Sequence, residues 1–154
     1  MLYSLKGLSG PRPRAEMKSK LEHVLEIIQH EPNYETFEYK EFYCVIMRMM
    51  FMGGQLNGYV RIPENHPYYD KDYTSDELEN IECHGGLTFS GELEGETGFF
   101  IGFDTAHYQD YMPFMQFALG QRAMELPYDQ AVYKDINYVR NECRNIVDQL
   151  VLVR

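Results

Sequence analysis

Apolar residues recur along this chain at two different periods, and the changes of period mark its elements. In AEMKSKLEHVLEIIQHEP, residues 15–32, Met17, Leu21, Val24, Leu25 and Ile28 fall on one stripe at helical spacing. The pattern predicts a helix that follows the breaker PRPR, residues 11–14, and is closed by Pro32. His23 and His30 read as surface residues of that helix, with His30 in its last turn. The following FEYKEFYCVIMRMMFMGGQLNGYVRIP is rich in aromatic and β-branched residues, with turn chemistry in GGQLNG. It predicts two strands, over 40–51 and 56–62, joined as a hairpin. The methionines at 47, 49, 50 and 52 read as adaptable core filling.

Residues 63–80 lose all periodicity. Ser75, followed by Asp76 and Glu77, fits the cap of a short helical turn. A loop this long is either a lid or binding loop, or a solvated acidic excursion. A second hairpin is predicted from strands at 82–90 and 97–103, turning through GELEGETG. Pro113 opens a short helix over PFMQFALGQRAMEL. Last, Val132, Ile136, Val139, Cys143, Ile146 and Leu150 repeat at spacings of 4, 3, 4, 3, 4, an amphipathic helix of five turns that must pack on the sheet. The expected fold is α+β: one domain over residues 1–154, with 1–14 as a flexible lead. Its sheet is mainly antiparallel and built from hairpins, and the N-terminal and C-terminal helices pack on it.

Composition changes this picture little, but it narrows function. The 154 residues carry 24 acidic against 14 basic side chains, a net charge of -10. Extended contact with nucleic acid needs a basic face, and anionic membranes repel such a chain, so neither is expected as a partner. No apolar run approaches the ~20 residues of a membrane span, and the N-terminus lacks the apolar core of a signal peptide. Cys44, Cys83 and Cys143 form no CxxC pair and read as free thiols of a reducing cytoplasm.

The candidate chemistry lies between residues 58 and 110. CHGGLTFSG, residues 83–91, sets His84 before two glycines, and GFDTAHYQD, residues 102–110, spaces Asp104, His107 and Asp110 at i, i+3 and i+6. Glycines inside a strand signal a bulge, or backbone approached closely by a ligand. His84, Asp104, His107 and Asp110 make a two-histidine, two-carboxylate set suited to Zn²⁺ or Mn²⁺. The same residues could serve acid–base catalysis, with His107 as base. The plainer account is that Asp104 caps the turn after the strand and His107 is a satisfied, partly buried residue. Arg61 and His66 flank the loop that GYVRIPENHPYY enters, and Tyr69 belongs to a tyrosine-rich stretch able to stack on a flat ligand. GxxxxGK[ST], GxGxxG, HExxH and GxSxG are all absent.

GYVRIPENHPYY, HGGLTFSG, GFFIGFDTAHYQD and YKDINYVRNECRNIVDQL, in that order, resemble a set of small bacteriophage and prophage proteins. The resemblance spans residues 57–150, with HGGLT and GFDxxHxxD its most specific parts. Phe99 and Phe100 stand where that pattern has tryptophan. The resemblance implies a phage or prophage origin and the cytoplasm of the host cell. It singles out His66, His84, Thr88, Asp104, His107, Asp110, Tyr133 and Asp135. Such a list of polar side chains fits a ligand pocket or an active site.

Three readings stay open at this point. The first is sequestration of a nucleotide-derived, cyclic or linear, immune signal, with Arg61 on phosphate, tyrosines on the base and His and Asp on ribose. The second is a metal-assisted hydrolase or phosphodiesterase using His84, Asp104, His107 and Asp110. The third is a protein inhibitor working through the acidic loop, which charge reversal across 70–79 would abolish. The apolar terminal helix and the methionine-rich hairpin suit a homodimer as well as a monomer's core.

Overall fold

The computed structural model describes residues 12–115 and 130–153, with side chains from residue 20 onward. The helix expected from Pro113 lies outside the described residues from position 116. Helix α1 spans Arg12–Gln29, so it begins inside PRPR rather than after it. A proline in a first helical turn has no hydrogen bond to lose there, which makes that start permissible. Val24 is buried, and His23 and His30 are exposed as expected.

Five strands follow: β1 (Tyr34–Tyr39), β2 (Phe42–Arg48), β3 (Leu56–Ile62), β4 (Phe89–Gly91) and β5 (Phe99–Phe103). They form one antiparallel sheet in the order β1-β2-β3-β5-β4. The expected strand over 40–51 is really the second arm of an unforeseen hairpin. Tyr39 pairs with Phe42, so Lys40 and Glu41 alone make the turn, at φ of 48° and 70°. Non-glycine residues seldom adopt that left-handed conformation, and neither asparagine nor glycine marks the turn in the sequence. Beyond Arg48 the chain curls: Met49 N–H donates to the Gln55 carbonyl and Gly54 N–H to the Met49 carbonyl. The expectation that the methionines fill the core holds for Met47, which packs against Val45, Tyr59 and Phe100, and is corrected for two others. Met50 and Met52 are exposed at the hairpin tip, with Phe51 99% exposed between them.

The loop over 63–80 is largely exposed, but it is not structureless. Ser75 caps the short helix α2 (Asp76–Glu79), accepting from Leu78 N–H, and Leu78 is fully buried. Helix α3 (Ile136–Val151) carries the predicted stripe from Ile136 onward. Val132 does not belong to it: it precedes the Asp135 cap and is 59% exposed. Ile136, Val139, Ile146, Val147 and Leu150 are buried against Cys44, Ile46, Leu56, Val60 and Ile101, each worth roughly 1.5–3 kcal/mol. Gly58 sets how closely helix and sheet approach. A methyl group there would lie 2.6 Å from the Phe103 ring and 2.8 Å from Cys143 Sγ. Cys143 is buried core, as its place on the stripe predicts.

A buried ion pair fixes the start of α3. The Arg48 side chain is fully buried and donates to Asn33 (2.7 Å), the Gly54 carbonyl (2.8 Å), Tyr133 Oη (2.8 Å) and Glu31 (2.8 Å). The other Glu31 oxygen accepts Ile136 N–H at 2.8 Å. With every polar group partnered, the network ties α1, β2 and α3 into one geometry. No helix among the described residues is long and apolar enough to cross a membrane.

Candidate functional site

The site forms where β5 ends and the loop before β4 crosses the face of α3. The expected strand over 82–90 is corrected here: only Phe89–Gly91 pairs, and residues 83–88 are a loop. Gly85 and Gly86 hold φ of 68° and 81°, a backbone path closed to most side chains. Four polar side chains of α3 secure the loop. Tyr138 Oη lies 2.7 Å from His84 Nδ1, and Glu142 accepts His84 N–H at 2.7 Å. Asn145 and Gln149 donate to the Glu82 carbonyl, and Gln149 accepts Glu82 N–H.

The second half of the site comes from the turn after β5. Asp104 accepts from Ala106 N–H (3.1 Å) and the Thr88 hydroxyl (2.9 Å), so it does cap that turn. Asp110 N–H donates to the His107 carbonyl at 2.9 Å. Beyond it a short parallel bridge pairs Asp110 with Val132, with Val132 N–H on the Gln109 carbonyl and Tyr111 N–H on the Val132 carbonyl. That bridge delivers Lys134 to the site, its ammonium 2.9 Å from Asp110 Oδ1.

Asp110 is the hub. Its side chain is 2% exposed and accepts from His84 Nε2 (2.8 and 2.9 Å), His107 N–H (2.9 Å), His107 Nδ1 (3.2 Å) and Lys134. Burial pushes its pKa up, but the bonds from His84, His107 N–H and Lys134 outweigh burial and leave it below the ordinary carboxylate value. The two imidazoles meet edge to face, with centroids 5.5 Å apart. His107 is held from a third side by Gly85: a methyl group there would sit 2.1 Å from the ring. Only glycine fits that position.

Two neighbours are unreactive. Burial, with the Glu142 and Asp104 carboxylates, pushes the Cys83 thiol up to about 12, so it is not a nucleophile at neutral pH. Burial and the charges of Glu142 and Asp110 also raise the Tyr138 phenol, which stays protonated.

Of the residues expected to bind ligand, His84, Thr88, Asp104, His107 and Asp110 converge; the others do not. Arg61 stacks on Tyr43 at 4.4 Å and donates to the Thr97 carbonyl, at the opposite end of β5. Six residues of extended chain, about 20 Å, separate that end from Asp104. His66 bonds the Leu150 carbonyl through Nε2 (2.9 Å) and accepts Tyr68 N–H at Nδ1 (3.0 Å), so both ring nitrogens are used. Leu150 lies twelve residues along α3 from Tyr138, about 18 Å. Tyr69 packs edge-on against Phe99. It faces a cleft of about 540 Å³ that also holds Glu64, Asp70, Glu92 and Glu96, surroundings that repel phosphate. The Tyr133 hydroxyl belongs to the buried Arg48–Glu31 network, where burial and Glu31 raise its pKa. Asp135 is the cap of α3, accepting Tyr138 N–H at 2.9 Å.

For a metal ion, donor atoms of His84, His107 and Asp110 lie within 4.8 Å of one another. Asp104, the fourth expected ligand, stands off at 3.5 Å from His107 Nδ1 and is outside that trio. Lys134, Tyr138 and Glu142 escaped the sequence reading. A signal for part of this was present: Tyr138, Glu142, Asn145 and Gln149 repeat at 4, 3, 4, one residue ahead of the apolar stripe. Searches against known protein families, curated proteins and solved structures find no match to this chain.

Proposed function

We propose that the protein is a hydrolase of small polar molecules, with His107 as general base and Asp110 as the carboxylate that orients it. The observation that carries this reading is the setting of His107. Its Nδ1 faces a buried, ionised carboxylate at 3.2 Å, glycine clamps its ring, and the side chain is 37% exposed. Among the described residues nothing bonds Nε2. With Nδ1–H donated in a hydrogen bond to the Asp110 carboxylate, Nε2 carries the lone pair that a base needs, on the ring edge beside Gly85. In the reaction a water gives its proton to Nε2 as its oxygen adds to the electrophilic carbon or phosphorus. The imidazolium is stabilised by Asp110 and returns that proton to the departing group. Such proton transfer contributes typically 10²–10⁴-fold.

Charge narrows the substrate. Asp104, Asp110 and Glu142 surround the histidines, Lys134 is already paired, and Arg61 is remote. Highly charged phosphates are therefore disfavoured against esters, amides or singly charged cyclic phosphodiesters. Sequestration of a nucleotide draws less support, because Arg61 and Tyr69, expected to grip phosphate and base, stand apart from the histidine pair. The metal-assisted reading is favoured by one observation, the 4.8 Å spread of the three donor atoms.

The test incubates the full chain with cyclic and linear nucleotides and with chromogenic carboxylate and phosphate diesters, with and without EDTA. Altered substrate, lost in His107→Ala and indifferent to EDTA, supports the proposal. Loss with EDTA selects the metal-assisted reading. Intact ligand released by heat selects sequestration, and no ligand at all sinks both enzyme and binder.

A further inference from the structure

We infer that Lys134 is the resident cation of this centre: its ammonium holds, on Asp110, the place that a divalent metal would otherwise take. Two histidine nitrogens and a carboxylate within 4.8 Å of one another are a donor set that metals of the zinc class accept readily. A metal would also need lone pairs on both facing nitrogens, and it would have to share the Asp110 carboxylate with the Lys134 ammonium. His84 Nε2 and His107 Nδ1 both face the ionised carboxylate at hydrogen-bond distance, a geometry that favours N–H and not a lone pair on each, and Lys134 cancels the one negative charge.

The lysine is placed by the fold and not by a chance rotamer. The Asp110–Val132 bridge anchors the chain two residues before it, and its side chain is only 13% exposed. Its ammonium donates a second bond to the Val132 carbonyl at 3.0 Å and lies 5.8 Å from the Tyr138 ring centroid. Removing its charge would leave Asp110 with an uncompensated negative charge and an Oδ1 that keeps only its contact with His84 Nε2. The histidines could then turn their lone pairs inward: Tyr138 Oη can accept from His84 Nδ1 as well as donate to it, and the outer nitrogen of His107 is open to a proton. Lys134→Met should therefore convert the centre into a metal site in a single step.

The inference rests on the acid–base reading of the same site, but its test reads metal affinity and not turnover, so either can fail alone. The full chain, Lys134→Met, Lys134→Arg and the double variant Lys134→Met with His107→Ala are titrated with Zn²⁺ by calorimetry at neutral pH. Expected is one-to-one binding in Lys134→Met at least roughly 100-fold tighter than in wild type, and its loss in the double variant. Lys134→Arg, which keeps the charge, should behave as wild type. One equivalent of Zn²⁺ bound by the wild type as tightly as by Lys134→Met, and released by His107→Ala, overturns the inference. So does a folded Lys134→Met with no gain. Should Lys134→Met fail to fold, the wild type and its His107→Ala variant decide: tight stoichiometric Zn²⁺ dependent on His107 refutes, and its absence supports.

Discussion

Gly85 shows at the scale of one residue how the fold produces the chemistry. It makes no side-chain contact, yet it decides where His107 stands, because a methyl group at that position would occupy the imidazole's space. Gly85→Ala should therefore reduce turnover as far as His107→Ala does. It should also lower stability by about 1–3 kcal/mol, since φ of 68° is strained for alanine. Kinetics and urea unfolding of the two variants check both halves of the expectation. Asp110 makes the matching electrostatic case. Its pKa is depressed in the folded protein, so its contribution is fully present above the unfolded value of roughly 3.9 and is lost as pH falls through the lower folded value. The stability gap between wild type and Asp110→Asn should hold above that pH and close below it, as measured by unfolding across pH 2–6. For a divalent ion, Lys134 is the obstacle at this scale. A 2+ charge about 4 Å from an ammonium meets a repulsion of roughly 8 kcal/mol at an effective dielectric constant of 20. The sequence announced the glycines and the histidines, because their types are unusual in a strand. It could not announce Lys134, whose partner Asp110 lies 24 positions away (134 − 110) and is reached through a two-residue bridge.

Among the elements, α3 does two jobs with two stripes. The apolar one packs on the sheet and was legible, because its six positions repeat without interruption; only its first member, Val132, fell outside the helix. The polar one holds the histidine loop and was not read, because Tyr138, Glu142, Asn145 and Gln149 resemble an ordinary solvated face until their partners are known. Gln149→Ala, combined with Asn145→Ala, should raise amide exchange at Glu82 and His84 while leaving exchange in β2 and β3 unchanged. Hydrogen exchange read by mass spectrometry distinguishes that local loosening from global destabilisation. The β1–β2 hairpin was missed for a different reason. Its turn is built from Lys40 and Glu41, residues that carry no turn signature and bear the strain of left-handed backbone. Glu41→Gly should relieve about 1 kcal/mol of it and raise the melting temperature by roughly 2–4 °C.

For the whole molecule, two facts govern what the site can do. The β3–β5 register sets Arg61 opposite Phe100, near the start of β5, whereas Asp104 follows the strand's other end. Asp104 therefore joins the histidines while Arg61, beside the start of β5, cannot. Sequence proximity had grouped Arg61, His66 and Tyr69 with the histidines because all lie between residues 58 and 110, but strand length and helix length separate them. The chain's charge of -10 acts in the same sense, and among the described residues the cation at the site, Lys134, is already paired with Asp110 and not free to hold a polyphosphate. The measurement that bears most directly on the central claim is turnover of a neutral chromogenic ester and a cyclic phosphodiester by wild type and His107→Ala, each with and without EDTA. Expected is hydrolysis by the wild type that EDTA leaves unchanged and that His107→Ala lowers by about 10²–10⁴-fold, with the variant's unfolding transition unmoved. Equal rates in wild type and His107→Ala, or activity that EDTA abolishes and Zn²⁺ restores, would contradict it.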